Sequence, residues 1–224
     1  MCIRDRNTPL FKNQNERSKT TLMLSARRSY LQYVFELIGL PIRPDYWDYQ
    51  FKIHHKIDDY NSITFLGLGS IDDFSVEPPD QFDPEAQATI EQVPIIKQKT
   101  LTLGVSWSRK YKSGKGLVTT SLSSNKLIND FSRFSNNIIQ SGIIYKNDSK
   151  EQESKLRVHF KEFKEKFKLS YGFNLQQSTY FNNTQGIQNQ VNYDTSIDFF
   201  KYGFFGNFSR YFFDDKLSFS IGIR

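Results

Sequence analysis

Cysteine is almost missing from this chain of 224 residues: Cys2 stands alone, so neither an intramolecular disulfide framework nor a cysteine-based zinc site can form. Long hydrophobic runs are missing as well. No stretch approaches the roughly 18 uninterrupted apolar residues that a membrane-crossing helix needs, which excludes a helical membrane protein. The opening MCIRDR is followed by no apolar segment and no small-residue cleavage site, so it is no secretory leader. Histidine occurs three times, and the net charge of +6 is modest for 30 basic and 24 acidic side chains. That excess does not demand a polyanionic partner.

What the chain has instead is aromatic surface. Phe (21) and Tyr (12) lift the aromatic share to 16%, yet the mean hydropathy is -0.58. Apolar residues are therefore dispersed among polar ones, the pattern of strands with two unlike faces. Tyr49, Phe51, Ile53, His55 and Ile57 alternate with Asp48, Gln50, Lys52, His54 and Lys56. Leu101, Leu103, Val105, Trp107 and Tyr111 share one parity against Thr100, Thr102, Gly104, Ser106, Ser108 and Lys110. Phe167, Leu169, Tyr171, Phe173 and Leu175 do the same, as do Phe200, Tyr202, Phe204, Phe208 and Phe212, and finally Leu217, Phe219, Ile221 and Ile223. With weaker runs at 20–29, 62–71, 117–124 and 156–161, about nine strands are expected.

Their spacing is as informative as their faces. Short connections fall near residues 58–61, 112–115, 163–166 and 212–215; long ones fall near 30–45, 72–97, 126–150 and 180–190. Long loops are uncommon in compact domains. Recurring on one side only, they predict an all-β antiparallel meander forming part of a transmembrane β-barrel. Tyr111, Phe163, Phe167, Phe212 and Phe213 flank the short turns, where an interfacial aromatic girdle belongs. The competing reading is a secreted or surface soluble β-sheet protein with binding or adhesin-like function, which also alternates but must bury its aromatic face under a second layer. Two short helices are expected in the long loops, one over 31–38 and one opened by the Asp83-Pro84 cap and stopped by Pro94.

Chemistry-bearing residues do not converge. His54 and His55, as strand neighbours, point to opposite faces and cannot share a metal; with His159 they read as ordinary face residues. Gly67 and Gly69 in FLGLGS have no following helix, so they form no dinucleotide fingerprint and instead relieve crowding in a bending sheet. Gly104, Gly172 and Gly222, on the polar parity, allow close approach of something packed inside. Asp72, Asp73, Glu77, Asp80, Asp83, Glu85 and Glu91 make the loop at 71–96 acidic, but their spacing matches no EF-hand, and it reads as a solvated loop. Lys161, Lys164, Lys166 and Lys168 sit at a turn without a stacking platform, so no nucleic-acid partner is expected. No catalytic, metal or cofactor site is expected, and the ligand-binding residues stay unassigned.

Several segments carry a family likeness. SARRSYL (25–31) followed by GLP (39–41), DYQFKI (48–53), SITFLGLGSIDDF (62–74) and FFKYGFFGNFSRYFFDDKLSFSIGIR (199–224) resemble the Bacteroidetes branch of TonB-dependent outer-membrane receptors. The resemblance covers nearly all of residues 19–224 and is faintest in the acidic loop and at 125–149. It implies a non-enzymatic protein of the Gram-negative outer membrane, with a 22-stranded barrel around an N-terminal plug. Such a protein takes up a small nutrient: a siderophore, haem, cobalamin, a glycan or a peptide. Its implied partners are outer-membrane lipid, TonB with its inner-membrane motor acting through a missing N-terminal part, and in some cases a surface lipoprotein. On this reading residues 1–17 are a non-native or irregular stretch and 18–224 a partial barrel, lacking the plug and the remaining strands. Such a piece alone is expected to form no functional pore, since two unpaired sheet edges are costly in lipid.

Overall fold

The computed structural model describes residues 6–10, 19–78, 83–186, 191–213 and 216–224. In chain order the elements are β1 (Arg6–Leu10), β2 (Thr20–Arg28), α1 (Leu31–Leu37), β3 (Ile42–Lys56), β4 (Asn61–Val76), α2 (Pro84–Gln92), β5 (Ile95–Lys110), β6 (Gly116–Asn136), β7 (Ser141–Phe163), β8 (Phe167–Gly186), β9 (Val191–Phe212) and β10 (Leu217–Ile223). All strands lie in one antiparallel sheet in sequence order, from β1 at one edge to β10 at the other. Nine of them follow Thr20, as the alternation predicts. The tenth, β1, pairs with β2 from inside the stretch expected to be irregular. Among the described residues β1 and β10 are not paired, so the sheet is open.

The register turns odd-even alternation into two continuous faces, because directly paired residues of neighbouring strands share a side. One row runs Leu22, Ile53, Phe65, Val105, Leu122, Leu156, Leu175 and Tyr202 across eight strands. The rows beside it hold Leu24, Phe51 and Leu103 on one side and Ile63, Trp107, Val158, Phe173 and Phe204 on the other. The opposite face carries Gln50, Lys52, Thr102, Ser106, Ser123, Lys155, Arg157, Asn174 and Lys201. Two glycines on the apolar face lie under rings. A Cβ at Gly67 would run into Phe51, and one at Gly69 would meet Tyr49 Cζ at 2.7 Å, so glycine there makes room for aromatic side chains of β3.

None of the described residues covers the apolar face. Tyr202 is 79% exposed, Phe204 73% and Leu103 46%. The hydrophobic side chains buried among the described residues are Ala86, Ile90 and Ile95, which sit where α2 meets the sheet. The second layer that a soluble sheet protein requires is absent from the described residues.

Turn chemistry explains the short connections. The Asp58 carboxylate accepts from the backbone N–H groups of Tyr60 and Asn61, both at 2.7 Å, and from the Asn61 amide. Those bonds favour the charged form and hold the Asp58 carboxyl below its ordinary 3.8, the Asn61 side-chain bond contributing most. Between β5 and β6, Gly114 adopts φ +70°, and its N–H bonds the Tyr111 carbonyl at 2.8 Å. At the far rim α2 starts as the sequence predicts: Asp83 accepts from the Glu85 N–H at 2.9 Å with Pro84 in the first helical turn.

Two expected long loops are overturned. Residues 126–150 are strand, turn and strand, with β6 reaching Asn136 and β7 starting at Ser141; likewise β8 reaches Gly186 and β9 starts at Val191. β6 to β9 are thus 21, 23, 20 and 22 residues long, against 16 each for β4 and β5. A strand of about 10 residues is enough to cross a hydrocarbon band, and each long strand has about twice that length. The physical reason is that both faces turn polar there, which removes the hydrophobic rhythm while the ladder continues. Of the girdle residues, Phe167 and Phe212 share the apolar parity, whereas Phe163 pairs with Lys168 on the polar side.

Candidate functional site

The polar face of β7, β8 and β9 is the most organised surface. Lys155, Arg157, His159 and Lys161 follow one another along β7, two residues apart and all on this face. Opposite His159 stands Gly172, and opposite Gly172 stands Phe205, whose ring fills the space a Cβ would take. An arginine and a histidine converge on that ring. The Arg157 guanidinium lies 4.9 Å from its centroid, and the His159 imidazole meets it edge-on at 5.3 Å. His159 Nε2 is 2.7 Å from Ser170 Oγ, and Lys201 Nζ lies 4.8 Å from the Phe199 ring.

Farther from the short turns the same face changes character. Glu153 bridges to Lys155 at 2.5 Å and accepts from Gln176, which also reaches Ser178 at 2.9 Å. Beyond them a groove of about 360 Å³ opens between Asn125, Glu151, Tyr180, Ile197 and Phe199. Asn147 closes the top of this wall, donating to Asn182 and Thr184 at 2.6 Å each. A basic, aromatic-backed lower wall therefore passes into an amide and carboxylate upper wall. Such a surface can hold a ligand through charge and hydrogen bonds.

The three histidines separate as their positions predict. His54 Nδ1 is 2.9 Å from Thr64 Oγ1 on the polar face, and His55 Nδ1 is 2.7 Å from Thr20 Oγ1 on the other. The acidic residues of 71–96 are dispersed among local partners. Asp72 accepts from Ser70, Glu77 pairs with Arg43 at 2.8 Å, and Asp83 caps α2; Asp80 lies outside the described residues. Among the described residues no three His, Cys, Asp or Glu side chains form a metal-holding group, and no metal- or cysteine-based catalytic site is present. The lysines at 161–168 also part company: Lys164 faces Glu162 at 3.8 Å, while Lys168 reaches Tyr211 across the sheet at 3.2 Å.

One organising residue escaped sequence reading. Asn137, in the turn joining β6 to β7, is 2% exposed and donates to the Ile90 and Val93 carbonyls at 2.5 and 2.9 Å, while accepting from the Phe134 N–H at 2.9 Å. It ties the C-terminal end of α2 to the long β6–β7 hairpin and so fixes one of the two helices at the far rim. An isolated asparagine in a polar stretch gives no signal of this.

No protein-family model matches the sequence, and no curated protein does. Solved structures do match. The copper transporter OprC is similar with a TM-score of 0.59 at 11% identity, covering 85% of this chain and 30% of that one. The siderophore receptor PiuA from Acinetobacter baumannii gives 0.52 at 12%, covering 87% and 38%. The ferric yersiniabactin uptake receptor FyuA from Yersinia pestis gives 0.51 at 8%, covering 88% and 33%. The chain spans about a third of the length of these proteins and shares the fold of that part of them.

Proposed function

We propose that this chain is a stretch of barrel wall from a TonB-dependent receptor of the Bacteroidetes type, seated in the outer membrane of a Gram-negative bacterium. The intact protein captures a scarce nutrient at its outer mouth and admits it when TonB displaces a plug. One observation carries the reading: a continuous apolar face, rich in aromatic residues, that no other part of the described chain covers. Water tolerates such a face poorly, and lipid is its natural cover. The band agrees in height. From Leu101 to Tyr111 the chain advances ten residues, which at about 3.3 Å each and a tilt near 40° covers about 25 Å.

On this reading the polar face lines the lumen, and the Arg157, His159, Phe205 and Lys201 surface faces plug or ligand. A siderophore, haem, cobalamin, a glycan and a peptide are the candidate cargoes, with a surface lipoprotein as an accessory partner. The test is lipid-phase photolabelling of the full-length protein in intact outer membranes. Trp107, Tyr171 and Phe204 should be marked while Ser106, Gly172 and Lys201 are spared. Equal labelling of both sets, or a folded protein that stays in buffer without detergent, favours the soluble adhesin-like alternative and ends this reading.

A further inference from the structure

On the apolar side, the greasy rows give way to cations in an ordered manner. The row Tyr49, Gly69, Leu101 continues into Lys126, Gln152, Thr179 and Asp198. One step farther from the short turns, the row Ile71, Lys99, Ile128, Lys150, Phe181 alternates aliphatic or ring side chains with lysines across five strands. Lys99 and Lys150 stand two strands apart, roughly 10 Å, with Lys126 on the strand between them and two residues nearer the apolar band. All three are exposed. Their direct cross-strand neighbours are Ile71, Ile128, Leu101, Gln152 and Phe181, and among the described residues none of the three is ion-paired. Lys97 differs, since it lies between Asp73 and Asp130.

A second feature lies directly below. In one row Phe51 and Leu103 flank Gly67, and the small Ser124 and Ser154 follow, leaving an apolar groove of about 410 Å³ lined also by Gly104, Phe65, Val105 and Leu122. A groove for a hydrocarbon chain thus leads up to a triangle of ammonium groups that, among the described residues, form no ion pair, with Asp73, Asp130 and Asp148 one row farther out. That is the profile of an amphiphile carrying negative charge where head meets tail.

We infer that Lys99, Lys126 and Lys150 bind the phosphates of a phosphorylated glycolipid of the lipid A kind, with one acyl chain lying in the Leu103–Leu122 groove. The inference rests on the outer-membrane reading for its choice of lipid, since the lysines stand on the long-strand side of the band. Three cations spread over about 10 Å and two rows suit separated phosphates on a wide sugar head better than one phosphodiester. Gln152 and Thr179, beside Lys126 in its row, offer hydrogen bonds to sugar hydroxyls.

The experiment uses the full-length protein, purified in detergent and titrated with lipid A, dephosphorylated lipid A and phosphatidylglycerol, with retained lipid counted by native mass spectrometry. The triple variant Lys99→Gln, Lys126→Gln, Lys150→Gln is compared with Lys112→Gln, Lys115→Gln, Lys164→Gln, which removes the same charge at the short turns. Lipid A retention should fall at least about tenfold in the first triple and hold in the second. Dephosphorylated lipid A should bind wild type and both variants equally weakly. Leu122→Trp, which fills the groove and spares the lysines, should also weaken lipid A retention. Equal retention in both triples overturns the site, and phosphatidylglycerol bound as tightly as lipid A overturns the choice of lipid. Both results are distinguishable from failure of the receptor reading, which is scored separately by fractionation of the wild-type protein into outer or soluble fractions.

Discussion

The half of the sheet nearest the short turns and the far half of β6 to β9 belong to one antiparallel sheet, with a register shift at Arg133/Phe134 in the far half, yet their side chains differ sharply in chemistry. Near the turns, Trp107, Phe160, Tyr171 and Phe208 crowd one face, with Phe160 and Tyr171 stacked at 5.1 Å. Beyond Lys126 and Gln152 the same face holds Asp130, Asp148 and Asn183. Strand pairing continues through both halves. What changes is side-chain chemistry, so on the proposed reading the membrane boundary is written in chemistry and not in secondary structure.

The largest expected effect comes from moving a charge across that boundary. Leu103→Arg, in the apolar band, should cost the full-length protein about 2–4 kcal/mol in reversible unfolding from lipid vesicles. Asn183→Arg, on the same face beyond the boundary, should shift stability by no more than about 0.5 kcal/mol. Equal costs would erase the distinction between the halves.

Glycines sharpen it next. A Cβ at Gly172 collides with the Val158 carbonyl and the Phe205 ring, whereas one at Gly104 finds its nearest neighbours at 3.7 Å. Gly172→Ala should therefore destabilise by about 1–3 kcal/mol in the same assay. Gly104→Ala should be neutral or stabilising by up to about 1 kcal/mol.

Asn137→Ala probes the far half alone. It leaves the Ile90 and Val93 carbonyls and the Phe134 N–H without their partner, at about 1–2 kcal/mol. Hydrogen exchange should accelerate over α2 while β2 to β5 keep their protection. Acceleration throughout the sheet would show the helix to be part of a single cooperative unit instead.

The smallest effect is at the near rim. Because the folded-state pKa of Asp58 lies below its ordinary 3.8, the turn gains stability from the charged form above that value and loses it as pH falls through the lower folded value. Exchange of the Tyr60 and Asn61 amides should quicken only below about pH 3.8, and Asp58→Ala should remove the dependence. A transition near neutrality would refute that origin.

Much of the near half is legible in the chain. Residues 101–111 and 167–175 alternate so regularly that their faces follow from parity, and Asp83-Pro84 announces the start of α2. The opposed placement of His54 and His55 needs nothing beyond strand geometry. The far half is not legible in the same way. From 126 to 150 the hydrophobic rhythm fades, so a strand and a loop look alike in hydropathy, and the pairing of β6 and β7 with each other and with β5 and β8 is what makes those residues strand. The convergence of Arg157 and His159 on Phe205, 46 residues or more along the chain, depends on register in the same way.

Sequence alone determined that this chain has two unlike faces, turns at Asp58 and Gly114, and no helix able to cross a membrane. Those properties are local: each follows from the period of a strand or the chemistry of three or four neighbouring residues. Tertiary structure alone decided where the strands end, that Asn137 clamps α2, and that Lys99, Lys126 and Lys150 form one triangle above one groove. Each of these depends on which residue lies across from which, and an antiparallel register brings together positions whose separation in sequence carries no trace of their meeting.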